Sequence, residues 1–200
     1  MKVSIFQNFN EITENKEIVE VISDIKTGKY KNVMTYLRKS LADSKMEAYE
    51  RAKKSLPAFT PSACFKGGRK QEFITTYTQI VVLDIDKISA EKLAQSKKLL
   101  SQNEYVFAVF TSPSGNGLKI LVKVNSAQEN HKEAFLKLQK YFEDFLNLPI
   151  DKSGKDITRL CFVSYDTDLF LNENASIFPI ITPCHSELVE ESHSEVINEH

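Results

Sequence analysis

The middle of the chain alternates strand and helix patterns in an order that restricts the fold. Aliphatic runs typical of strands and amphipathic runs typical of helices follow one another at 79–85, 89–101, 105–110, 118–124, 127–146 and 160–164. Only the polar residues 111–117 separate the third run from the fourth, which predicts an antiparallel hairpin. A hairpin here disfavours an all-parallel sheet, because parallel neighbours need a long crossover connection.

The same order also predicts the topology. Strand, helix, strand, strand, helix, strand is the order of a ferredoxin-like or RRM-like antiparallel sheet, so we predict an α+β fold of this kind. In that topology the strand at 79–85 lies in the middle of the sheet, and the strand at 160–164 lies beside it. Two faces alternate over 118–124, with Lys119, Leu121 and Lys123 on one and Ile120, Val122 and Val124 on the other, which predicts one polar and one apolar face.

The two ends of the chain differ from the middle. Apolar residues at helical spacing over 11–23 and 32–54 predict two helices. We therefore expect an N-terminal helical extension over residues 1–55 and a main domain over residues 56–181. Residues 182–200 are acidic and polar with few apolar anchors, which predicts a disordered tail.

Two carboxylates, Asp84 and Asp86, stand at the end of the first of these strands. Residues i and i+2 of a strand point to the same face, so the two side chains project together and repel each other. Such a pair is tolerated when it is solvated, when one carboxyl group is protonated, or when a cation lies between the two. Mg²⁺ binds few carboxylates and completes its shell with water and phosphate oxygens. The pattern predicts a divalent metal site at the strand end, with a solvated acidic turn as the alternative.

Two polar loops are suited to phosphate groups. Lys66, Arg69 and Lys70 surround two glycines, which let the backbone approach a phosphate while the cations neutralise its charge. The hairpin loop offers backbone N–H groups and the hydroxyls of Ser112 and Ser114. For the basic loop, the alternative is a solvated hairpin turn.

Composition narrows the classes of function. The formal net charge of -1 gives no general attraction to nucleic acid, so the placement of charges has to decide. No apolar run approaches the ~20 residues that span a bilayer, and the first residues lack the apolar core of a signal peptide, so we expect no membrane partner. Cys64, Cys161 and Cys184 are an odd number at wide spacing, which predicts inert buried thiols in a reducing, cytoplasmic setting.

Residues 45–170 resemble the VirE N-terminal-type domain of bacterial mobile-element proteins, which is related to the archaeo-eukaryotic primase-polymerase superfamily. Members of that superfamily carry Asp-x-Asp at the end of a core strand, which matches Leu83-Asp84-Ile85-Asp86. A third aspartate before an arginine-bearing strand matches the stretch from Asp151 to Arg159. The resemblance implies a DNA primase, a nucleotidyltransferase that acts in DNA replication of a mobile genetic element.

The resemblance also implies roles for particular residues. The side chains that would hold two Mg²⁺ or Mn²⁺ ions and act in catalysis are Asp84, Asp86 and Asp151. Those that would hold the triphosphate of a nucleotide are Ser112, Ser114, Lys119 and Arg159. Those that would contact nucleic acid are Lys66, Arg69 and Lys70. The implied partners are single-stranded nucleic acid, nucleoside triphosphates and a helicase-like ATPase in trans, since this sequence contains no Gly-x-x-x-x-Gly-Lys-Ser/Thr motif.

One position departs from the superfamily pattern. Lys119 stands where active members have a histidine that contacts the nucleotide phosphates; lysine pairs with phosphate as a point charge but lacks imidazole geometry. Two hypotheses therefore stay open: metal-dependent nucleotidyl transfer on a nucleic-acid template, and a catalytically weak or inactive module of the same fold that binds nucleic acid or nucleotide. A phosphatase of the haloacid dehalogenase type also begins with Asp-x-Asp, but it needs the parallel sheet that the hairpin disfavours.

Overall fold

The computed structural model describes residues 1–7 and 9–180, which form ten β-strands and five α-helices. The strands are β1 (Lys2–Gln7), β2 (Glu11–Glu17), β3 (Ala58–Thr60), β4 (Ala63–Phe65), β5 (Ile74–Tyr77), β6 (Ile80–Ile85), β7 (Val106–Thr111), β8 (Leu118–Lys123), β9 (Cys161–Phe162) and β10 (Phe170–Leu171). The helices are α1 (Ile18–Thr27), α2 (Lys31–Ala42), α3 (Met46–Lys54), α4 (Ala90–Leu100) and α5 (His131–Leu146). The mixture of helices with antiparallel sheets confirms the α+β class.

The central sheet contains the hairpin and the strand that carries Asp84. Its order is β10-β7-β8-β6, and every neighbouring pair is antiparallel. The predicted hairpin is confirmed as β7 and β8, which pair up to Thr111 opposite Leu118. The hairpin loop therefore opens at the same end of the sheet as the carboxyl end of β6, where Ile85 pairs with Leu118.

The order of the strands corrects one expectation. β6 lies at an edge of the central sheet and not in its middle, and β9, from the last predicted strand, pairs with β3 in a second sheet. The chain after α5 covers the free edge of β6. Asp151 N donates to Asp84 O at 2.8 Å, and a β-carbon on Gly154 would lie 2.5 Å from Val82 O. This close-packed loop leaves no room for a strand beside β6.

The second sheet brings the N-terminal segment into the fold. Its order is β2-β1-β3-β9, and all its pairs are antiparallel. The helix expected over 11–23 is wrong in its first half, because Glu11–Glu17 pairs with β1 and the helix begins at Ile18. The helical spacing was weak here, because Glu11–Glu17 contains only one of its apolar residues, Ile12. Pairing with β1 along its whole length therefore decides the structure of this stretch. The helix expected over 32–54 is two helices, α2 and α3.

Two hydrophobic cores cover opposite faces of the central sheet. One packs Leu121 of β8 against residues of α1, α2, β1 and β3, and the other packs Ile120 against α5. The expected polar face of β8 is therefore covered, and Lys119 is only 9% exposed. The first core also runs without a break across the boundary expected near residue 55, since it includes Tyr49 and Leu56.

Two expectations about cysteines and membranes can be compared with the described residues. Cys64 and Cys161 are free and buried, and burial raises the pKa of Cys161 to about 12, which keeps its thiol protonated and inert at neutral pH. Within residues 1–7 and 9–180, no helix is both long and apolar enough to cross a bilayer. Cys184 and the tail expected at 182–200 lie outside the described residues.

Candidate functional site

A cavity of about 280 Å³ opens where the end of β6, the hairpin loop, α3 and the segment 156–162 meet. Its charged lining consists of four cationic side chains and three carboxylates, those of Lys53, Arg69, Lys119, Arg159, Asp84, Asp86 and Asp156. Ser112 and Ser114 line it as well. The lining thus has one positive charge in excess and hydroxyl groups nearby. Such a cavity is suited to an anionic ligand that also carries hydrogen-bond donors.

The centre of the cavity is a buried ion pair between neighbouring strands. Asp84 of β6 lies directly opposite Lys119 of β8 in the antiparallel register. Lys119 Nζ lies 2.6 Å from Asp84 Oδ2, and the two side chains are 11% and 6% exposed. Arg159 Nη2 approaches the same oxygen at 3.6 Å. Asp84 therefore has two cationic partners in a place with little water.

Burial and pairing act in opposite directions on the charged groups here. Burial alone would lower the pKa of Lys119, but the charge and hydrogen bond of Asp84, together with the other acidic groups nearby, outweigh it and hold that pKa above its ordinary value. For Asp151, burial would raise the pKa, whereas hydrogen bonds from Ser153 and the charge of Arg159 bring it below its ordinary value. Lys119 and Asp151 are therefore charged at neutral pH, and neither is available there as a neutral base or acid.

The same geometry tests the expected divalent metal site. Asp84 Oδ1 is buried and has no hydrogen-bond partner, so one carboxylate oxygen lacks a cation or donor. The other oxygen, Asp84 Oδ2, is already taken by Lys119, and Asp86 is exposed. Throughout the described part of the chain, no three histidine, cysteine, aspartate or glutamate side chains are placed to hold one metal ion together. As arranged, these residues do not fit the expected Mg²⁺ or Mn²⁺ ions.

The three aspartates expected at the metal site are only partly brought together. Asp84 and Asp86 line the cavity, whereas Asp151 is not among its lining residues. Asp151 instead accepts hydrogen bonds from the backbone N–H and the hydroxyl of Ser153, at 2.9 and 2.8 Å. Its link to the cavity is Arg159, whose Nη2 lies 3.7 Å from Asp151 Oδ2. The catalytic roles of all three stay predictions.

The hairpin loop is held from outside by Arg38 of α2, a residue that no sequence pattern singles out. Its guanidinium donates to the carbonyls of Ser112, Pro113 and Tyr165 at 3.2, 3.2 and 3.0 Å. Inside the loop, the hydroxyl oxygens of Ser112 and Ser114 lie 3.0 Å apart. A helix from the N-terminal segment thus sets the position of the two hydroxyls at the cavity.

The cations of the basic loop lie in different places. Arg69 lines the cavity and donates to the carbonyls of Phe9 and Thr158, at 3.1 and 2.8 Å. Lys66 and Lys70 are exposed and are not among the lining residues. Their contacts to nucleic acid stay a prediction for the exposed surface of this loop.

The cavity also contains residues that sequence reasoning missed. Lys53 and the rings of Phe9, Tyr49 and Phe162 line it. Phe9 and Phe162 pack edge to face with ring centroids 5.5 Å apart, and both stay partly exposed. No local signal marks these residues, because segments far apart in the chain bring them together.

The fold and the cavity together define an α+β domain with a charged cavity that is edged by aromatic rings. The chain belongs to the family of BT4734-like N-terminal domains, whose model matches residues 51–171. That range includes Lys53, Asp84, Lys119 and Arg159 of the cavity but not β1, β2, α1 or α2. No curated protein and no solved structure matched the chain.

Proposed function

We propose that this protein is a primase-polymerase-like module, of the VirE N-terminal type, that binds single-stranded nucleic acid for a replication protein of a mobile element. The observation that carries the proposal is a cavity in which cations stand beside partly exposed aromatic rings. Proteins that bind single strands combine a positive groove along the phosphates with rings on which bases stack.

The two arginines of the cavity support phosphate binding. The carbonyls of Phe9 and Thr158 orient Arg69, and the carboxylates of Asp84 and Asp151 orient Arg159. A guanidinium has five N–H donors, so each arginine keeps donors for a ligand oxygen. Arg159 Nε is buried and has no hydrogen-bond partner, which favours an acceptor beside it.

The aromatic edge supports a ligand with bases. Phe9 and Phe162 stay partly exposed although they line the cavity, so their ring surfaces can be covered by a ligand. Stacking of a base on an aromatic side chain contributes about 1–3 kcal/mol and tolerates any base, since every base has a π-face. The cavity is therefore suited to a strand of varied sequence.

Replacing Lys53 with alanine is expected to weaken binding of a labelled oligothymidine of about 12 nucleotides roughly tenfold, through the loss of one phosphate contact. The measurement is fluorescence anisotropy at several salt concentrations. The loss of one contact should also reduce the slope of log K against log salt by about 0.7.

Lys54→Ala is the matched control, because Lys54 is the next residue of α3 but is exposed and is not among the residues that line the cavity. The control should keep most of the wild-type affinity. Equal losses in the two variants, or no binding by the wild type, would contradict the proposal.

Metal-dependent nucleotidyl transfer is the second candidate; it requires a metal ion to displace Lys119 from Asp84, and one observation favours it. Asp84 Oδ1 is buried without a partner in a cavity that Asp86 also lines. This candidate predicts that the wild type adds nucleotides to a primed single-stranded template in Mg²⁺ or Mn²⁺, and that Asp84→Asn abolishes the addition. If the wild type adds none, the binding module alone stands.

The proposal includes a cytoplasmic setting and a helicase-like ATPase partner in trans. The free, buried thiols of Cys64 and Cys161 support a reducing compartment. The ATPase partner rests on the resemblance to mobile-element proteins, in which such a domain often precedes a helicase-like ATPase.

A further inference from the structure

The pair of Asp84 and Lys119 places a fixed cation inside the cavity. Lys119 Nζ lies 2.6 Å from Asp84 Oδ2, and Asp86 follows Asp84 two residues later. A divalent ion held by these two carboxylates would lie within a few ångströms of the ammonium group. Positive charges at such a separation repel strongly where little water screens them. Lys119 and a divalent ion therefore compete for the same carboxylate.

Arg159 adds to this exclusion. Its Nη2 lies 3.6 Å from Asp84 Oδ2 and 3.7 Å from Asp151 Oδ2, so a second positive charge stands between two carboxylates that a metal would need. Asp84 is thus neutralised by cations that belong to the chain itself. Its other oxygen, Oδ1, is buried without a hydrogen-bond partner, so removal of Lys119 would leave a buried carboxylate whose nearest described cation is Arg159 at 3.6 Å. Such a carboxylate is neutralised less well and has room for a further cation.

We infer that Lys119 takes the place of a divalent metal ion, so that the cavity binds phosphate groups that carry no metal. The inference rests on the proposed function, which supplies nucleic acid as the ligand, and it restricts that ligand to phosphate groups without a bound metal ion. Phosphodiester groups of a single strand fit such a cavity, whereas the metal-bound triphosphate of a nucleotide does not. Lys119 has three N–H donors, and the pair with Asp84 leaves donors for a phosphate oxygen.

The test compares the wild type with Lys119→Met and with the double variant Asp84→Asn/Lys119→Met. Methionine keeps an unbranched apolar stem and removes the charge. Mn²⁺ alone, at about 100 times its dissociation constant, should raise the melting temperature of Lys119→Met by about 5–10 °C, because an ion that binds only the folded state stabilises it. The wild type and the double variant should show no shift in the same buffer.

Two results would overturn the inference. One is a shift in the wild type as large as that in Lys119→Met, and the other is a folded Lys119→Met that does not respond to Mn²⁺. Lys119→Gln replaces the methionine variant if that variant does not fold. If neither variant folds, calorimetric titration of the wild type and of Asp84→Asn with Mn²⁺ decides the matter. The two proteins should give the same result, because Asp84 binds no Mn²⁺ while Lys119 is present.

A second measurement separates the inference from the proposed function. Labelled oligothymidine should bind the wild type equally in EDTA and in Mg²⁺ at matched ionic strength. A requirement for Mg²⁺ would overturn the inference and leave the proposed function standing. Failure to bind in both buffers would overturn the proposed function, while the Mn²⁺ experiment would still decide whether Lys119 excludes metal.

Discussion

Replacing Lys119 with methionine should lower the free energy of unfolding by about 3–5 kcal/mol in metal-free buffer at neutral pH. The reason is that the carboxylate of Asp84 remains buried after Lys119 is removed. Asp84 is 4% exposed, one of its oxygens already has no hydrogen-bond partner, and the other would lose the ammonium at 2.6 Å. Arg159 Nη2, at 3.6 Å from Oδ2, would be the one cation left near Asp84 among the described residues. A buried carboxylate that loses its nearest cation is costly, whereas the intact pair contributes little beyond an apolar pair of equal volume. Urea unfolding monitored by circular dichroism measures the difference.

The double variant Asp84→Asn/Lys119→Met separates the pair from its surroundings. It leaves no charge buried alone, so it should recover most of the loss. Lys140→Met removes a cation whose pair with Asp144 is exposed, and it should change stability little. A double variant as unstable as Lys119→Met would show that the lysine stem, and not the charge of Asp84, accounts for the loss.

Replacing Asp166 with asparagine should lower the free energy of unfolding by about 2–3 kcal/mol at neutral pH, from the loss of charged hydrogen bonds. Both Asp166 oxygens accept from Lys97 Nζ at 2.7 Å, and Oδ2 also accepts from Thr111 N at 2.7 Å. Burial alone would raise the pKa of Asp166, but Lys97 and the Thr111 amide outweigh it and hold this pKa below its ordinary value. The bonds tie α4 to the start of the hairpin loop.

The sign of this shift sets the pH dependence. A lowered pKa in the folded state means that the contribution is present above the unfolded pKa of about 3.9 and is lost as the pH falls through the folded value. The difference in the free energy of unfolding between the wild type and Asp166→Asn should therefore disappear in acid. Urea unfolding across this range measures it, with Asp168→Asn, an exposed neighbour, as the control. If this difference in the free energy of unfolding stays constant in acid, the charged form of Asp166 is not the source of the stability.

Local patterns in the sequence were enough to predict the hairpin, the buried strand at β6 and the α+β class. Strand periodicity and turn composition depend on neighbours in the chain, so they can be read without knowledge of the fold. The same periodicity placed Asp84 and Asp86 together, and both line the cavity. Arg159 was expected near them from the resemblance, and it contacts Asp84.

Pairing between distant segments decided what local pattern could not. Glu11–Glu17 became a strand because β1 offers it partners along its length, against a helical spacing. β6 became an edge strand because the loop that carries Gly154 packs against Val82 O. Lys53 and Phe9 reached the cavity from segments that show no motif. A side chain's partners across the fold depend on packing, which propensity does not encode.

Lys119 shows the division most clearly. Alternation along residues 118–124 correctly separated two faces of a strand, and resemblance placed Lys119 beside the ligand. Only the tertiary structure decided that the lysine face is covered by α1, α2, β1 and β3, and that Asp84 lies directly across the sheet. Burial made each member of this cross-strand pair depend on the other, because a charge removed from water must keep its partner. The physical character of the site therefore comes from the elements that exclude water from it.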